Sequence, residues 1–188
     1  MECHPANKLS LSTTTSHQSV AGCATCHTVH SQQPPPKTGE HFLKATTPAL
    51  CNECHAEVIK KEFVHEPVKM NCVLCHNPHG GLRAESNALC MECHSPTAKS
   101  KVNSDAPTAL FGGQLTVPAH YFPKLKLLTL RNDLGHPTTI HPVLRAKDQD
   151  FPAVTCMACH KPHGADKSVP MLVTETENFE PLCLSCHT

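Results

Sequence analysis

The 188-residue chain is poor in the side chains that usually fill a protein interior. It has no tryptophan, one tyrosine and six phenylalanines, and it has only eight glycines. Proline, which interrupts helices and strands, occurs 17 times. A chain of this composition cannot reach ordinary packing density with its own side chains, so a conventional globular core is excluded and another filler is required.

The chain also lacks a net charge and a long apolar run. Lysine plus arginine and aspartate plus glutamate each number 16, so no basic excess favours nucleic acid as a partner. No run of 18 apolar residues could span a bilayer. The most apolar stretch, Ala119 to Leu134, is interrupted by Pro123 and by three basic residues. We therefore expect neither a nucleic-acid partner nor a transmembrane segment.

Cysteine and histidine are abundant instead, with 13 and 16 copies. Twelve cysteines form six Cys-x-x-Cys pairs, and a histidine directly follows each pair, which is the attachment signature of a c-type haem. Cysteines three positions apart lie on one face of a helical turn, where two thioethers can hold a porphyrin and the next histidine can reach the iron. The six motifs are Cys23/Cys26/His27, Cys51/Cys54/His55, Cys72/Cys75/His76, Cys90/Cys93/His94, Cys156/Cys159/His160 and Cys183/Cys186/His187.

Three other uses of paired cysteines fit less well. A disulfide framework, common in small exported proteins, does not need a histidine after every pair. Zinc sites built from two such pairs do not need these histidines either, and they give no role to the ten further histidines. A redox-active dithiol would occur once, beside a strand and helix pattern that is missing here. Covalently attached haem c is therefore the predicted cofactor.

The motifs are organised into three copies of one plan, which is a stronger signal than any single motif. In each copy an upstream histidine precedes a first motif, another histidine follows that motif by three residues, and a second motif begins with Leu-Cys. We predict paired-haem repeats over residues 17–55, 56–100 and 136–188, separated by a haem-free insert over 101–135. The insert is expected to cover a haem edge, to link haem modules or to bind a partner.

The first residues match the end of another motif. The sequence MECH at residues 1–4 repeats residues 91–94, so we interpret residues 1–16 as the remnant of an upstream repeat. Cys3 and His4 would hold a seventh haem. Covalent haem attachment takes place outside the cytoplasm, and no export signal begins this sequence. We expect such a signal upstream of Met1 and a periplasmic or extracellular protein.

The histidines outside the motifs are candidates for the second axial ligand of each iron. A second imidazole makes the iron six-coordinate and low-spin, which suits electron transfer and leaves no position for a substrate. The +3 histidines, defined as those three residues after a first-motif histidine, are His30, His79 and His163, and the upstream histidines are His17, His65 and His141.

We expect a fixed assignment of these ligands within each repeat. The upstream histidine would ligate the haem of the first motif, and the +3 histidine would ligate the haem of the second motif. His79 would then serve the haem of His94, and His163 that of His187. For the haem at Cys3, the candidates are His41, His120 and His136, with the last two favoured because they lie between residues 95 and 139, the one long stretch without a haem motif.

The pattern of CxxCH, a histidine at +3 within Asn-Pro-His-Gly or Lys-Pro-His-Gly, and then LCxxCH resembles the doubled-CxxCH multihaem c-type cytochromes. Within that group, residues 17–94 are similar to the periplasmic decahaem component of porin-cytochrome conduits and to related extracellular multihaem cytochromes. The resemblance implies bis-histidine haems in a continuous chain. It also implies other redox proteins as partners, and either an outer-membrane porin or identical subunits in a filament.

From these features we predict an irregular, mostly coil protein with short α-helices, a haem-packed core and little or no β-sheet. Its predicted function is to conduct electrons along about seven bis-histidine haems in anaerobic or extracellular electron transfer. Two alternatives stay open. One is a filament subunit, and the other, from a different class, is a multihaem oxyanion reductase with an open haem at Cys3 and His4. We expect a carrier and not an enzyme, because nine histidines are available for seven distal positions.

Overall fold

The structure is a computed structural model, and it describes residues 17, 22–28, 42–95, 98, 105–121, 154–167, 172–174 and 180–187. Over these residues the chain is mostly coil with short helices and three two-stranded sheets, which confirms the predicted fold class. The α-helices are α1 (Cys23–Cys26), α2 (Thr47–His55), α3 (Glu66–Met70), α4 (Ser86–His94) and α5 (Glu180–Leu184). The 3-10 turns are Ala56–Ile59, Cys72–Leu74, Phe111–Gly113, Ala119–Tyr121 and Cys156–Ala158.

Proline sets where these helices begin and end. Pro48, Pro67 and Pro181 occupy the second positions of α2, α3 and α5, where a proline removes no intrahelical hydrogen bond. Pro78 and Pro162 follow the 3-10 turns at Cys72 and Cys156. A residue before proline is driven out of the helical region, so the chain turns extended there.

The strands form three small antiparallel sheets. They are β1 (Phe63–Val64), β2 (His76–Asn77), β3 (Gly81–Leu82), β4 (Thr108–Leu110), β5 (Leu115–Val117) and β6 (Gly164–Ala165). Consecutive strands pair as hairpins in two of the sheets, β2 with β3 and β4 with β5. In the third sheet β1 pairs with β6, which lies about a hundred residues further along the chain, with Val64 opposite Gly164.

The chain divides into two compact units. The first comprises Met1–Arg83 with His163–Asp166, and the second comprises Ala84–Pro162 with Lys167–Thr188. Three complete CxxCH motifs belong to each unit. The division at Arg83 and Ala84 lies between the two motifs of the second paired repeat, so a compact unit is not the same thing as a sequence repeat. The repeat boundaries given above stay predictions.

The side-chain core of the described residues is small. The buried hydrophobic residues are Ala98, Leu110, Val117, Ala165 and Leu172, and no large side chain is fully buried in this part of the chain. Several large apolar side chains are exposed instead, with Leu184 at 59% and Leu82 at 41%. The polypeptide therefore does not fill its own interior, as its composition predicted, and flat apolar groups attached to the motifs fit this deficit.

Part of the insert forms a hairpin of its own. Leu110 at the end of β4 and Val117 at the end of β5 are both buried. The backbone N–H of Phe111 donates to Glu92 Oε1 on α4 at 3.0 Å, which anchors the hairpin beside a haem motif. Among the described residues, no helix is both long enough and apolar enough to cross a membrane.

Candidate haem-attachment sites

Each described CxxCH motif is wound as a helical turn. Second motifs begin within the helices α2, α4 and α5, whereas the motifs at Cys72 and Cys156 begin in 3-10 turns. The backbone N–H of His27 donates to the carbonyl of Cys23 at 3.0 Å, and His160 does the same to Cys156 at 3.0 Å. A closed turn of this kind places both cysteines on one side, as two thioethers on one porphyrin require.

In the second motif of each repeat, the second cysteine differs in its exposure and in its position relative to the helix. Cys54 lies in α2 and is exposed, and Cys93 lies in α4 and is half-buried. Cys186 is also exposed and lies two residues beyond the end of α5, where its N–H donates to the carbonyl of Cys183 at 3.2 Å. The helix α5 therefore does not enclose its whole motif, and a hydrogen-bonded turn continues it. An accessible thiol suits covalent attachment, because the haem must reach both sulfurs.

Three of the motif cysteines, Cys51, Cys156 and Cys159, have a raised pKa and therefore little tendency to ionise. None of the twelve cysteines in the described part of the chain forms a disulfide. Burial, followed by the neighbouring Cys72, raises the pKa of Cys51 to about 11. Burial also raises the pKa of Cys159. A reactive dithiol needs a lowered pKa, so these raised values disfavour the redox-dithiol alternative. In the described residues no three cysteine, histidine or acidic side chains are grouped to hold a metal ion.

In the first unit, α2 packs on the 3-10 turn of the next motif. Thr47 Oγ1 donates to Asn71 Oδ1 at 2.6 Å, and the same amide oxygen accepts the N–H of Val73 at 3.1 Å. Asn71 therefore caps the turn that carries Cys72 and also ties it to α2. The first cysteines of two successive motifs, Cys51 and Cys72, are thereby neighbours, and Cys72 adds to the rise in the pKa of Cys51 after burial.

The second unit repeats this arrangement with a different asparagine. Asn87 on α4 donates from Nδ2 to the carbonyl of Val154 at 2.8 Å, and its Oδ1 accepts the N–H of Cys156 at 2.8 Å. A hydrogen bond to Cys90, ahead of desolvation, raises the pKa of the Cys156 thiol. The motifs at Cys90 and Cys156 thus meet as those at Cys51 and Cys72 do. Cys159 in turn lies beside Cys186 of the last motif, whose charge adds to the rise in its pKa after desolvation.

Among the described residues of the first unit, six imidazoles form three pairs. The ring centroids of His27 and His79 are 6.0 Å apart with planes inclined by 24°, and those of His76 and His163 are 5.8 Å apart with planes inclined by 30°. The third pair, His17 and His55, has centroids 6.0 Å apart and an angle of 67°. Every pair joins a motif histidine to one of the predicted distal histidines.

This spacing fits a six-coordinate iron between the two rings. A metal that takes one nitrogen from each of two opposed imidazoles at about 2 Å leaves the ring centroids about 6 Å apart. Two further features suit ligation, which requires a neutral imidazole. Partial desolvation, followed by neighbouring histidines, lowers the pKa of His76 and of His79. His17 Nδ1 lies 3.0 Å from the carbonyl oxygen of Pro78, which can only accept, so its N–H is at Nδ1 and Nε2 keeps the lone pair for a metal.

The imidazole neighbours differ from the ligand pairs that the sequence predicted. His79 lies beside His27, whereas it was expected to serve the haem of His94, and His163 lies beside His76, whereas it was expected to serve that of His187. His17 lies beside His55, the second-motif histidine, whereas it was expected to serve the haem of His27. The predicted assignment keeps ligands within one repeat, whereas these contacts join segments that are distant along the chain, and the iron that each histidine binds stays a prediction.

The other predicted ligands have varied positions. His65 precedes α3, and its N–H donates to the carbonyl of His163 at 3.3 Å. His120 lies in the 3-10 turn that follows β5. The predicted residues outside the described part of the chain are Cys3, His4, His30, His41, His136 and His141. Asn71 and Asn87 were missed, although the asparagine directly before Cys72 is a capping signal that the sequence displays.

A family model for the doubled CXXCH motif matches residues 17–60, 65–99 and 141–188. The chain belongs to the doubled CXXCH motif family. No curated protein and no solved structure matches it. This doubled CXXCH protein is accordingly a multihaem c-type cytochrome with covalently bound haem c, and the motif cysteines stay the predicted attachment points. Haem iron supplies reversible one-electron chemistry, so the general function is electron transfer.

Proposed function

We propose that this cytochrome conducts electrons along a chain of about seven haems, each held by two histidines, in the periplasm or outside the cell. Six haems would be attached to the complete motifs and the seventh to Cys3 and His4. Redox proteins would supply and accept the electrons, either directly or through an outer-membrane porin or identical subunits. Bis-histidine ligation keeps haem potentials low compared with methionine-histidine ligation, which suits anaerobic respiration.

The observation that carries this proposal is the contact between successive motifs. In the first unit Thr47 of α2 is hydrogen-bonded to Asn71, the cap of the Cys72 turn, and in the second unit Asn87 of α4 is hydrogen-bonded to Val154 and Cys156. Motifs joined in this way would attach neighbouring haems close together, so the haems within a unit would form a series. Electrons can pass along such a series without a catalytic side chain.

The three imidazole pairs support a carrier over an enzyme. A reductase needs an iron with an open position, whereas each of these pairs would provide two ligands for one iron. The motif histidines His27, His55 and His76 would therefore hold closed, six-coordinate irons. The protein's own part is to fix the ligands and the order of attachment.

Voltammetry of the holoprotein adsorbed on an electrode tests this function. The expected result is a set of reversible one-electron waves whose total charge matches the haem count, with no added current from nitrite, hydroxylamine or sulfite. A catalytic current together with a high-spin resonance signal would favour the reductase instead. Electron microscopy of the native material separates a soluble carrier from a filament, because a polymer would appear as continuous fibres.

A further inference from the structure

Two of the three imidazole pairs in the first unit obey the same rule. His79 is the +3 histidine of the second repeat, and it faces His27 in the first motif of the repeat before it. His163 is the +3 histidine of the third repeat, and it faces His76 in the first motif of the second repeat. The relation between ligand and motif is therefore identical in two places of the sequence.

We propose that the +3 histidines of the second and third repeats ligate the first-motif haem of the preceding repeat, so that axial ligation links each repeat to the one before it. The upstream histidine His17 correspondingly serves the second-motif haem of its own repeat, opposite His55. This inference rests on the proposed function, since it takes these haems to have two histidine ligands. It adds which histidine serves which iron.

The turn that carries His79 explains why this residue reaches a distant motif. Asn77 ends β2, its side-chain oxygen accepts the N–H of His79 at 3.1 Å, and its carbonyl accepts the N–H of Gly80 at 2.9 Å. Asparagine followed by proline favours such a turn. The β2–β3 hairpin thus holds His76 and His79 at fixed positions, and each of them faces a different partner. One hairpin would bind two irons.

The position of His163 is fixed by strand pairing. Gly164 and Ala165 form β6 against β1, the N–H of His65 donates to the carbonyl of His163 at 3.3 Å, and Lys61 Nζ lies 2.7 Å from Asp166 Oδ2. These contacts place the segment from 163 to 166 within the first unit, although the rest of its repeat belongs to the second. A bond from His163 to the iron of the His76 haem would close a long loop of chain, which restricts the unfolded state.

The first unit also holds His17 in an orientation for ligation. Its Nδ1–H donates to the carbonyl of Pro78, the residue before His79, at 3.0 Å. Ligating histidines commonly donate their second N–H to a carbonyl in this way, because the bond fixes the ring and raises its basicity. The turn that presents His79 to one motif therefore also orients His17 toward His55.

Pairs of variants distinguish this linked pattern from ligation within each repeat. Replacing His79 by alanine should open one iron under either pattern, so a high-spin signal in wild-type background is not decisive. The decisive background is C23S/C26S, in which the haem of His27 is not attached. In the C23S/C26S background, H79A should add no high-spin haem and no site that binds carbon monoxide after reduction, because the iron that His79 would ligate is already absent.

The matched control background is C90S/C93S, which removes the haem that His79 would serve within its own repeat. In that background H79A should still add one high-spin haem equivalent and one carbon monoxide site. The reverse result, an added signal with C23S/C26S and none with C90S/C93S, would establish ligation within the repeat. An added signal in both backgrounds, or no effect of H79A in any background, would equally overturn the proposal.

The same design applies to His163, with C72S/C75S as the decisive background and C183S/C186S as the control. If a haem-deletion variant fails to fold, a density map of the wild-type holoprotein identifies the two imidazoles on each iron directly. His79 on the iron of the His94 haem would then contradict the linked pattern. The mass of the intact wild-type protein separates failure of the linked ligand pattern from failure of the proposed function. A protein without covalent haem would refute both hypotheses. A protein with the expected haem content but with other ligand pairs would refute only the linked pattern.

Discussion

Replacing Gly164 by alanine should weaken the first unit more than any other glycine substitution that the structure describes. Gly164 has φ +142°, a conformation that side chains rarely adopt, and such strain costs about 1–3 kcal/mol. A Cβ would also meet the carbonyl oxygen of Phe63 at a forbidden distance and Val64 Cα at 3.1 Å. Relieving this clash separates β6 from β1, at about 1 kcal/mol for each backbone hydrogen bond lost. The expected loss in free energy of unfolding is about 2–5 kcal/mol in all.

Gly112 provides the matched control for this substitution. It has φ +65°, and nothing lies within 4 Å of its ideal Cβ, so G112A introduces backbone strain without a clash. Its expected cost is about 1–2 kcal/mol. Urea unfolding of the holoproteins, followed by circular dichroism and by the haem absorption band, measures both losses from the midpoint and the slope. A G164A midpoint no lower than that of G112A would refute the argument from close approach.

Three further outcomes follow from the described contacts. N87A should lower the free energy of unfolding by about 1–3 kcal/mol, because the carbonyl of Val154 and the N–H of Cys156 lose their hydrogen-bond partner. D166N should lower it by less than about 1 kcal/mol, because both side chains of the Lys61–Asp166 pair are about 40% exposed. Urea midpoints compare the two variants, and equal losses would contradict this expectation. The D166N loss should also shrink at high salt, since an exposed pair is screened, and a loss independent of salt would assign it to another cause. N71A should cost about 0.5–2 kcal/mol through loss of the cap before the Cys72 turn, and an unchanged thermal midpoint would show that this cap contributes nothing.

The chemistry of haem attachment can be predicted from the sequence because it depends only on residues that are close together in the chain. A thiol pair three residues apart and a following histidine, such as Cys72, Cys75 and His76, specify the cofactor through one helical turn, whatever the rest of the chain does. The mostly irregular fold follows for a similar reason, because composition alone shows how little side-chain core is available. The small core of the described residues agrees with that prediction.

The distal ligands are harder to assign from sequence because they depend on long-range packing. Nothing near His79 in the sequence indicates that it meets His27, since that contact joins two different repeats of the chain. The β1–β6 pair, which positions His163, joins two-residue strands too short to show any periodicity. By contrast, the β4–β5 hairpin has a local signal, because Gly112 and Gly113 lie between two runs rich in threonine and aliphatic residues.

The mass of the intact holoprotein under denaturing conditions tests the central claim most directly. Thioether bonds survive unfolding, whereas a haem held only by histidines is released. We expect a mass excess of seven haems over the mature polypeptide, with haem-bearing peptides at each of the six complete motifs and at Cys3. A mass equal to that of the bare polypeptide would contradict the assignment of this chain as a multihaem cytochrome.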